Sequence, residues 1–135
     1  MVESSESSLQ NEAKVSVNVV TLQVDLPNYE SKMIDNKEVV FYIVKVCSGH
    51  RKWRLEKRFN EFYDLDKIVR QKHPNLPKLP AKTYFPLKNP ADIENRRQEL
   101  HAYLQDIVNI PDMRTNSAFR KFLEIDSQIP ESVSY

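Results

Sequence analysis

A chain of 135 residues, 40% of them hydrophobic and 10% aromatic, has room for one domain around a single core. No apolar run approaches the roughly 18 residues that span a bilayer, so any membrane contact is expected to be peripheral. The net charge of +1 conceals a segregation: residues 45–90 carry 12 Lys/Arg against four Asp/Glu, residues 1–44 three against seven, and residues 91–135 five against eight. A basic middle between acidic ends points to one face built for an anionic partner.

Residues 1–13 are rich in Ser, Glu, Gln and Asn and read as a disordered tail, too acidic at its start for a secretory signal. From Lys14 the alternation Val15, Val17, Val19, then Leu22, Val24, Leu26, predicts one long strand with a bulge where the phase slips near Val20. Pro27-Asn28 is expected to end it, and Tyr29 to Asn36 to form a polar connection. Val39 to Cys47 is the strongest β-segment, rich in β-branched and aromatic residues. Ser48-Gly49-His50 holds the only glycine and marks a hairpin, with Arg51 to Arg58 as the returning strand. Cys47 is the single cysteine, which excludes an internal disulfide and fits a reducing compartment.

The period changes at Glu56-Lys57-Arg58-Phe59-Asn60-Glu61-Phe62. Before it, Trp53 and Leu55 alternate with charged residues; after it, Phe62, Leu65, Ile68 and Val69 recur at helical spacing, with Asn60 placed to cap a helix from about Glu61 to His73. Helix N-termini attract anions, so Arg58 and Phe59 at this junction would suit a phosphorylated ring compound. Pro74, Pro77 and Pro80 then impose an extended, polyproline-like path. Ala81 to Lys88 is a loop. Asn89-Pro90-Ala91-Asp92 starts a helix that carries Ile93, Leu100, Tyr103, Leu104, Ile107 and Val108 and stops before Pro111. A last helix spans roughly Ser117 to Leu123, and residues 127–135 form a polar tail.

Arg96 falls inside the apolar stripe of its helix, three after Ile93 and four before Leu100. A charge aimed at a core is costly unless compensated. Either it bridges a structural carboxylate, or the stripe opens into a polar pocket where Arg96 meets a ligand. Arg97, at the stripe's edge, is expected at the surface. Tyr84, Phe85 and Leu87 lie between Lys82 and Lys88; they read either as core plugs or as an apolar tip that dips into an anionic headgroup region. The Pro74–Pro80 run also suits docking to a protein partner of the Src-homology-3 or WW kind.

Signals of catalysis are missing. One glycine cannot make a phosphate-cradling loop, His50, His73 and His101 lack ligand spacing, and no acid pair stands out, so no catalytic residue, metal or cofactor is expected. The basic segment lacks the aromatic interleaving of a nucleic-acid binder.

Taken together, Lys57-Arg58-Phe59-Asn60-Glu61-Phe62, the crossover with Leu79-Pro80-Ala81-Lys82, and Asn95-Arg96-Arg97-Gln98-Glu99-Leu100 resemble the Phox-homology (PX) domain, over about Val15 to Ile125. The resemblance implies an α+β fold: a three-stranded antiparallel β-meander packed against a helical subdomain of three to four helices with a proline-rich crossover. The domain would occupy residues 14–126, between tails at 1–13 and 127–135. It further implies a non-catalytic module that binds phosphatidylinositol 3-phosphate, cytoplasmic and peripheral on endosomal or vacuolar membranes. Residue by residue, the family's phosphate-binding arginine falls on Arg58 and its ring-packing aromatic on Phe59, where most members carry tyrosine. The lysine that contacts the 1-phosphate falls on Lys82, and the arginine that hydrogen-bonds the inositol 4- and 5-hydroxyls on Arg96. The membrane-inserting loop falls on Thr83 to Leu87, with Tyr84, Phe85 and Leu87 as its apolar residues. Lys57, Lys78 and Lys88 are the further cations that would admit a more phosphorylated headgroup. The alternative is a protein-interaction module of the same fold with weak or broad phosphoinositide binding.

Overall fold

The structure, a computed structural model, describes residues 21–83 and 85–128. The expected tail at 1–13, the strand start at Val15, Val17 and Val19 with its slip near Val20, Tyr84, and residues 129–135 lie outside the described residues.

Strands β1 (Leu22–Ile34), β2 (Lys37–Ser48) and β3 (Arg51–Lys57) form an antiparallel sheet in the order β1-β2-β3. Leu22, Val24 and Leu26 of β1, Tyr42, Val44 and Val46 of β2, and Leu55 of β3 point into the core, the period-two pattern of a half-buried sheet. The turn between β2 and β3 is Gly49-His50, with Gly49 at φ 62, where the absence of a Cβ removes the penalty.

Strand β1 does not end at Pro27-Asn28. The ladder shifts register between Asp25 and Asn28, which takes Leu26 and Pro27 out of the pairing, and then resumes from Asn28 opposite Ile43 to Ile34 opposite Lys37. A proline in a bulge removes no ladder hydrogen bond, so the strand passes through it. The supposed polar connection is therefore strand plus a two-residue turn, Asp35-Asn36, both with positive φ (52° and 65°). That is the handedness hairpin turns require, and Asp and Asn tolerate it better than most residues.

The helices are α1 (Phe59–Val69), α2 (Pro90–Val108), a 3-10 turn at Met113–Thr115, α3 (Ser117–Phe122) and α4 (Ile125–Gln128). Helix α1 begins earlier than expected, and its N-cap is Arg58 and not Asn60. The Glu61 carboxylate accepts the Arg58 backbone N–H at 2.8 Å, filling the role a capping side chain would take. The helix stops at Val69 instead of His73, because a residue preceding proline, here His73 before Pro74, disfavours helical backbone. Helix α2 opens as expected, with the Asn89 side chain accepting from Ala91 N at 2.8 Å and Pro90 in the first turn. Helix α4 runs across the expected domain end at 126.

Phe62 sits at the centre, edge-on to Tyr42 (centroids 6.3 Å apart) and to Phe122 (5.1 Å). Leu100, Tyr103 and Leu104 of α2 and Phe119 of α3 belong to the same core. Helix α2 is tied to β1 by side chains four residues apart on one face. Arg97 Nη1 donates to Leu26 O at 2.7 Å, Leu26 N donates to His101 Nδ1 at 3.1 Å, and Gln105 Nε2 donates to Val24 O. Arg97, expected at the surface, is thus a structural clamp, and its other donors hold Glu94 at 2.9 and 2.7 Å. Its place at the stripe's edge is what lets it reach a backbone carbonyl that the bulge has freed.

The crossover is held by α1. Arg70 donates to both Asp66 oxygens (3.0 and 2.8 Å), to Leu76 O at 3.2 Å and to Pro77 O at 2.9 Å. Buried Tyr103 closes the network by donating to Asp66 Oδ1 at 2.6 Å, and burial together with this hydrogen bond pushes its hydroxyl well above the usual tyrosine range.

Candidate functional site

A cleft of about 470 Å³ opens between the first half of β2, the start of α1 and the loop after the crossover. Arg58, Phe59, Lys82 and Arg96, which are scattered over 39 positions of sequence, all line it, as do Phe85 and Leu87. The strand-to-helix junction delivers Arg58 and Phe59, the crossover delivers Lys82, and the N-terminal third of α2 delivers Arg96.

Arg96 is 9% exposed. Its guanidinium carbon lies 3.9 Å from the centroid of the Phe59 ring, and Nη2 donates to Ala81 O at 3.2 Å. Among the described residues no carboxylate pairs with it, so the reading in which it bridges a structural carboxylate is set aside. Burial pushes the Tyr42 hydroxyl above its ordinary value, with the positive charge of neighbouring Arg96 acting the other way. A guanidinium has five N–H donors; the Ala81 carbonyl takes one and the Tyr42 hydroxyl oxygen another, which leaves the rest for a ligand. The stack also means that Arg96 and Phe59 form one surface, cation over ring.

Arg58 is exposed at the N-terminus of α1, with its backbone fixed through Glu61 and its guanidinium unpartnered among the described residues. Lys82 Nζ lies 4.7 Å from the Tyr63 ring centroid, which steadies a long side chain without neutralising it. Phe85 is 79% exposed at the rim, while Leu87 is half-buried against the core. The two therefore differ: Leu87 is anchored and Phe85 projects.

Two features of the cleft were missed by sequence reasoning. Lys37 and Glu38 at the start of β2 line it, and Tyr42 contributes from the strand's inward face. The Asp35-Asn36 turn would have placed Lys37 there, and the shared phase of Tyr42, Val44 and Val46 would have turned Tyr42 inward. Lys57, expected as an extra cation near the site, points elsewhere. It is buried, with Nζ 4.8 Å from the Phe122 ring and 3.7 and 3.9 Å from the Glu61 and Glu124 carboxylates. Its position in β3 shares the phase of Leu55, which carries it into the core. Lys78 and Lys88 do not line the cleft either.

Among the described residues no group of three His, Cys, Asp or Glu side chains could hold a metal, and no helix is long and apolar enough to cross a membrane. His101 serves β1 as an acceptor, and His73 stands 3.3 Å from Asp112.

The family model for the PX domain matches residues 45–126, more than half of the chain. Among characterised proteins the chain is similar to the serine/threonine-protein kinase Sgk3 of Rattus norvegicus, 29% identical over 106 residues, which cover 77% of this chain and 21% of the kinase. It is also similar to sorting nexin-24 of Bos taurus, 29% identical over 120 residues, covering 84% of this chain and 68% of that protein. Among solved structures, a designed CISK-PX domain superposes with a TM-score of 0.68 at 30% identity, covering 74% of this chain and 96% of that one. The chain spans about a fifth of the kinase it matches, so the resemblance concerns one domain of that protein. Sheet, crossover, helices and matched residues agree: the chain belongs to the PX domain family, generally a non-catalytic module that binds phosphoinositides and targets proteins to membranes.

Proposed function

We propose that the cleft binds the headgroup of phosphatidylinositol 3-phosphate and recruits residues 14–126, as one unit between two tails, to the cytosolic face of endosomal or vacuolar membranes. The observation that carries this reading is Arg96: a buried guanidinium stacked on Phe59, with no carboxylate among the described residues to compensate it. The ring hydroxyls of a phosphorylated inositol would accept from its unused donors, and the phosphates on the same ring would bring the missing negative charge close by. Arg58, with a planar fork of donors at a helix N-terminus, takes the 3-phosphate. Lys82 takes the 1-phosphate that leads to the glycerol backbone, Arg96 the ring hydroxyls, and Phe59 the ring face.

The rim supports a membrane partner. Phe85 is 79% exposed beside Lys82, and Met33 and Ile34, 69% and 44% exposed, precede the β1–β2 turn, with Ile34 paired across from the cleft residue Lys37. Apolar tips next to lysines suit an anionic bilayer, where each buried CH₂ contributes about 0.8 kcal/mol and each nearby lysine about 1 kcal/mol. Within the loop 83–87, Phe85 is the residue that inserts, while Leu87 holds the loop to the core.

The test is a liposome titration across the phosphoinositides at physiological salt, with Arg58→Ala alongside. Binding selective for the 3-phosphate, lost in a variant that keeps its circular dichroism and melting temperature, is the expected result. Normal recruitment of Arg58→Ala would refute the site assignment, and absence of any lipid binding by the unaltered chain would favour the protein-interaction reading.

A further inference from the structure

A second groove, of about 410 Å³, runs between the crossover and the outer face of α2 and shares no lining residue with the headgroup cleft. Pro77, Leu79 and Pro80 form one wall; Ala102 and Tyr103 form the other. Ala102 is the reason there is space, since its methyl group is the smallest side chain on that face. Proline has no N–H, so the crossover wall presents ring faces and carbonyls. Both walls are set before any partner arrives. Arg70 holds the Leu76 and Pro77 carbonyls at 3.2 and 2.9 Å, and the Tyr103 hydroxyl is fixed on Asp66 at 2.6 Å. A preformed groove lowers the ordering cost of binding.

The groove also has a charge pattern. Glu99 and Asp106 flank Ala102 at three and four residues' distance, on one face of α2, and line the groove with it. Seven residues of helix put the two carboxylates about 10 Å apart. Among the described residues neither is paired with a cation, whereas Glu30, Glu56, Glu94 and Asp126 all are. Lys78, on the opposite wall, is the one cation of the lining.

We infer that this groove docks a linear, cationic peptide of the form basic–aliphatic–x–basic in a polyproline-like conformation. That helix has three residues per turn and rises about 3.1 Å per residue, so positions i and i+3 fall on one side about 9 Å apart, matching the carboxylate spacing. The basic side chains pair with Glu99 and Asp106, the aliphatic residue enters between Leu79 and Ala102, and Lys78 meets a peptide carbonyl. The site is separate from the headgroup cleft and stands whether or not the lipid reading does.

The probe is a fluorescein-labelled peptide Gly-Ser-Arg-Leu-Pro-Arg-Ser-Gly, titrated against the full chain by anisotropy and by amide NMR shifts, with a control peptide in which both arginines are glutamate. Expected are saturable binding of the first peptide only, shifts centred on Leu79, Ala81, Ala102 and Asp106, and affinity weakened roughly five- to tenfold by Glu99→Gln with Asp106→Gln. Ala102→Arg, at an exposed helix position, should abolish binding, and Arg58→Ala should leave it unchanged. The inference is overturned by absence of saturation, by shifts centred on the cleft, by insensitivity to the double variant, or by a chain that self-associates through this face and loses that association in Ala102→Arg.

Discussion

Replacing Arg96 by methionine separates the fold from its ligand. The guanidinium is 9% exposed, donates to Ala81 O at 3.2 Å and stacks 3.9 Å above Phe59. Loss of the charged hydrogen bond costs about 1.5–3 kcal/mol and loss of the stack up to about 2 kcal/mol. Against this, removing an unpaired buried charge returns a desolvation penalty of several kcal/mol, and methionine retains the volume and a sulfur–aromatic contact of about 1 kcal/mol. Ala81 is exposed, so its carbonyl is rehydrated. The opposing contributions nearly cancel, and Arg96→Met should keep the stability of the chain to within about 1 kcal/mol. Headgroup binding should respond differently. Loss of a charged donor to the ring hydroxyls costs about 1.5–3 kcal/mol, at least a roughly tenfold loss in affinity for 3-phosphate liposomes. Urea unfolding followed through Trp53, the only tryptophan, whose indole donates to Leu123 O at 2.9 Å, reads the first quantity. Liposome titration reads the second. A stability loss above about 3 kcal/mol would show that the arginine holds the fold; unchanged liposome affinity would show that it does not meet the headgroup.

Arg97→Met should do the converse, costing about 1–3 kcal/mol in urea by leaving Leu26 O without its donor, with 3-phosphate affinity of the folded protein unchanged. The hydrogen bond from Arg97, helped by Gln98, holds the Glu94 carboxyl down to about 2 from an ordinary 4.5. A depressed folded-state value stabilises above pH 4.5 and loses that contribution as the pH falls towards 2. Glu94→Gln should therefore flatten the acid limb of stability in that window, which thermal melts at stepped pH will show. Phe85→Ser should weaken binding to 3-phosphate liposomes while leaving affinity for a soluble, short-chain headgroup analogue intact; equal losses in both would mean that Phe85 does not insert. Asn36→Val should cost about 1–2 kcal/mol of stability, because a β-branched residue resists the positive φ of the β1–β2 turn.

Legibility followed the kind of force that places each residue. Arg58, Phe59 and Arg96 stood out because a strand-to-helix change of period and a misplaced charge in an apolar stripe are local patterns; Lys82 joined them only through the family resemblance, and the structure brings all four into one cleft. What eluded pattern was tertiary. The second half of β1 carries Glu30, Ser31 and Lys32, whose strand conformation comes from pairing with β2 and not from apolar alternation. The cap of α1 is provided by a carboxylate three residues inside the helix, so no residue at the cap position announced it. Lys57 was expected beside the site and Arg97 at the surface, yet one points inward by strand phase and the other donates to a carbonyl freed by a bulge.

That bulge has a consequence for assembly. In a sheet ordered β1-β2-β3, β1 is an edge, and an open edge is a template for strand addition by another chain. Over Val24 to Leu26 the template is already occupied: Arg97, His101 and Gln105 take the backbone groups that an incoming strand would need. Pro27 extends the block by having no N–H to offer. Strand addition to β1 is thereby confined to the half beyond Asn28, which pairs with the β2 residues that line the cleft. A partner that lengthened this sheet would have to do so beside the cleft, in competition with whatever the cleft holds.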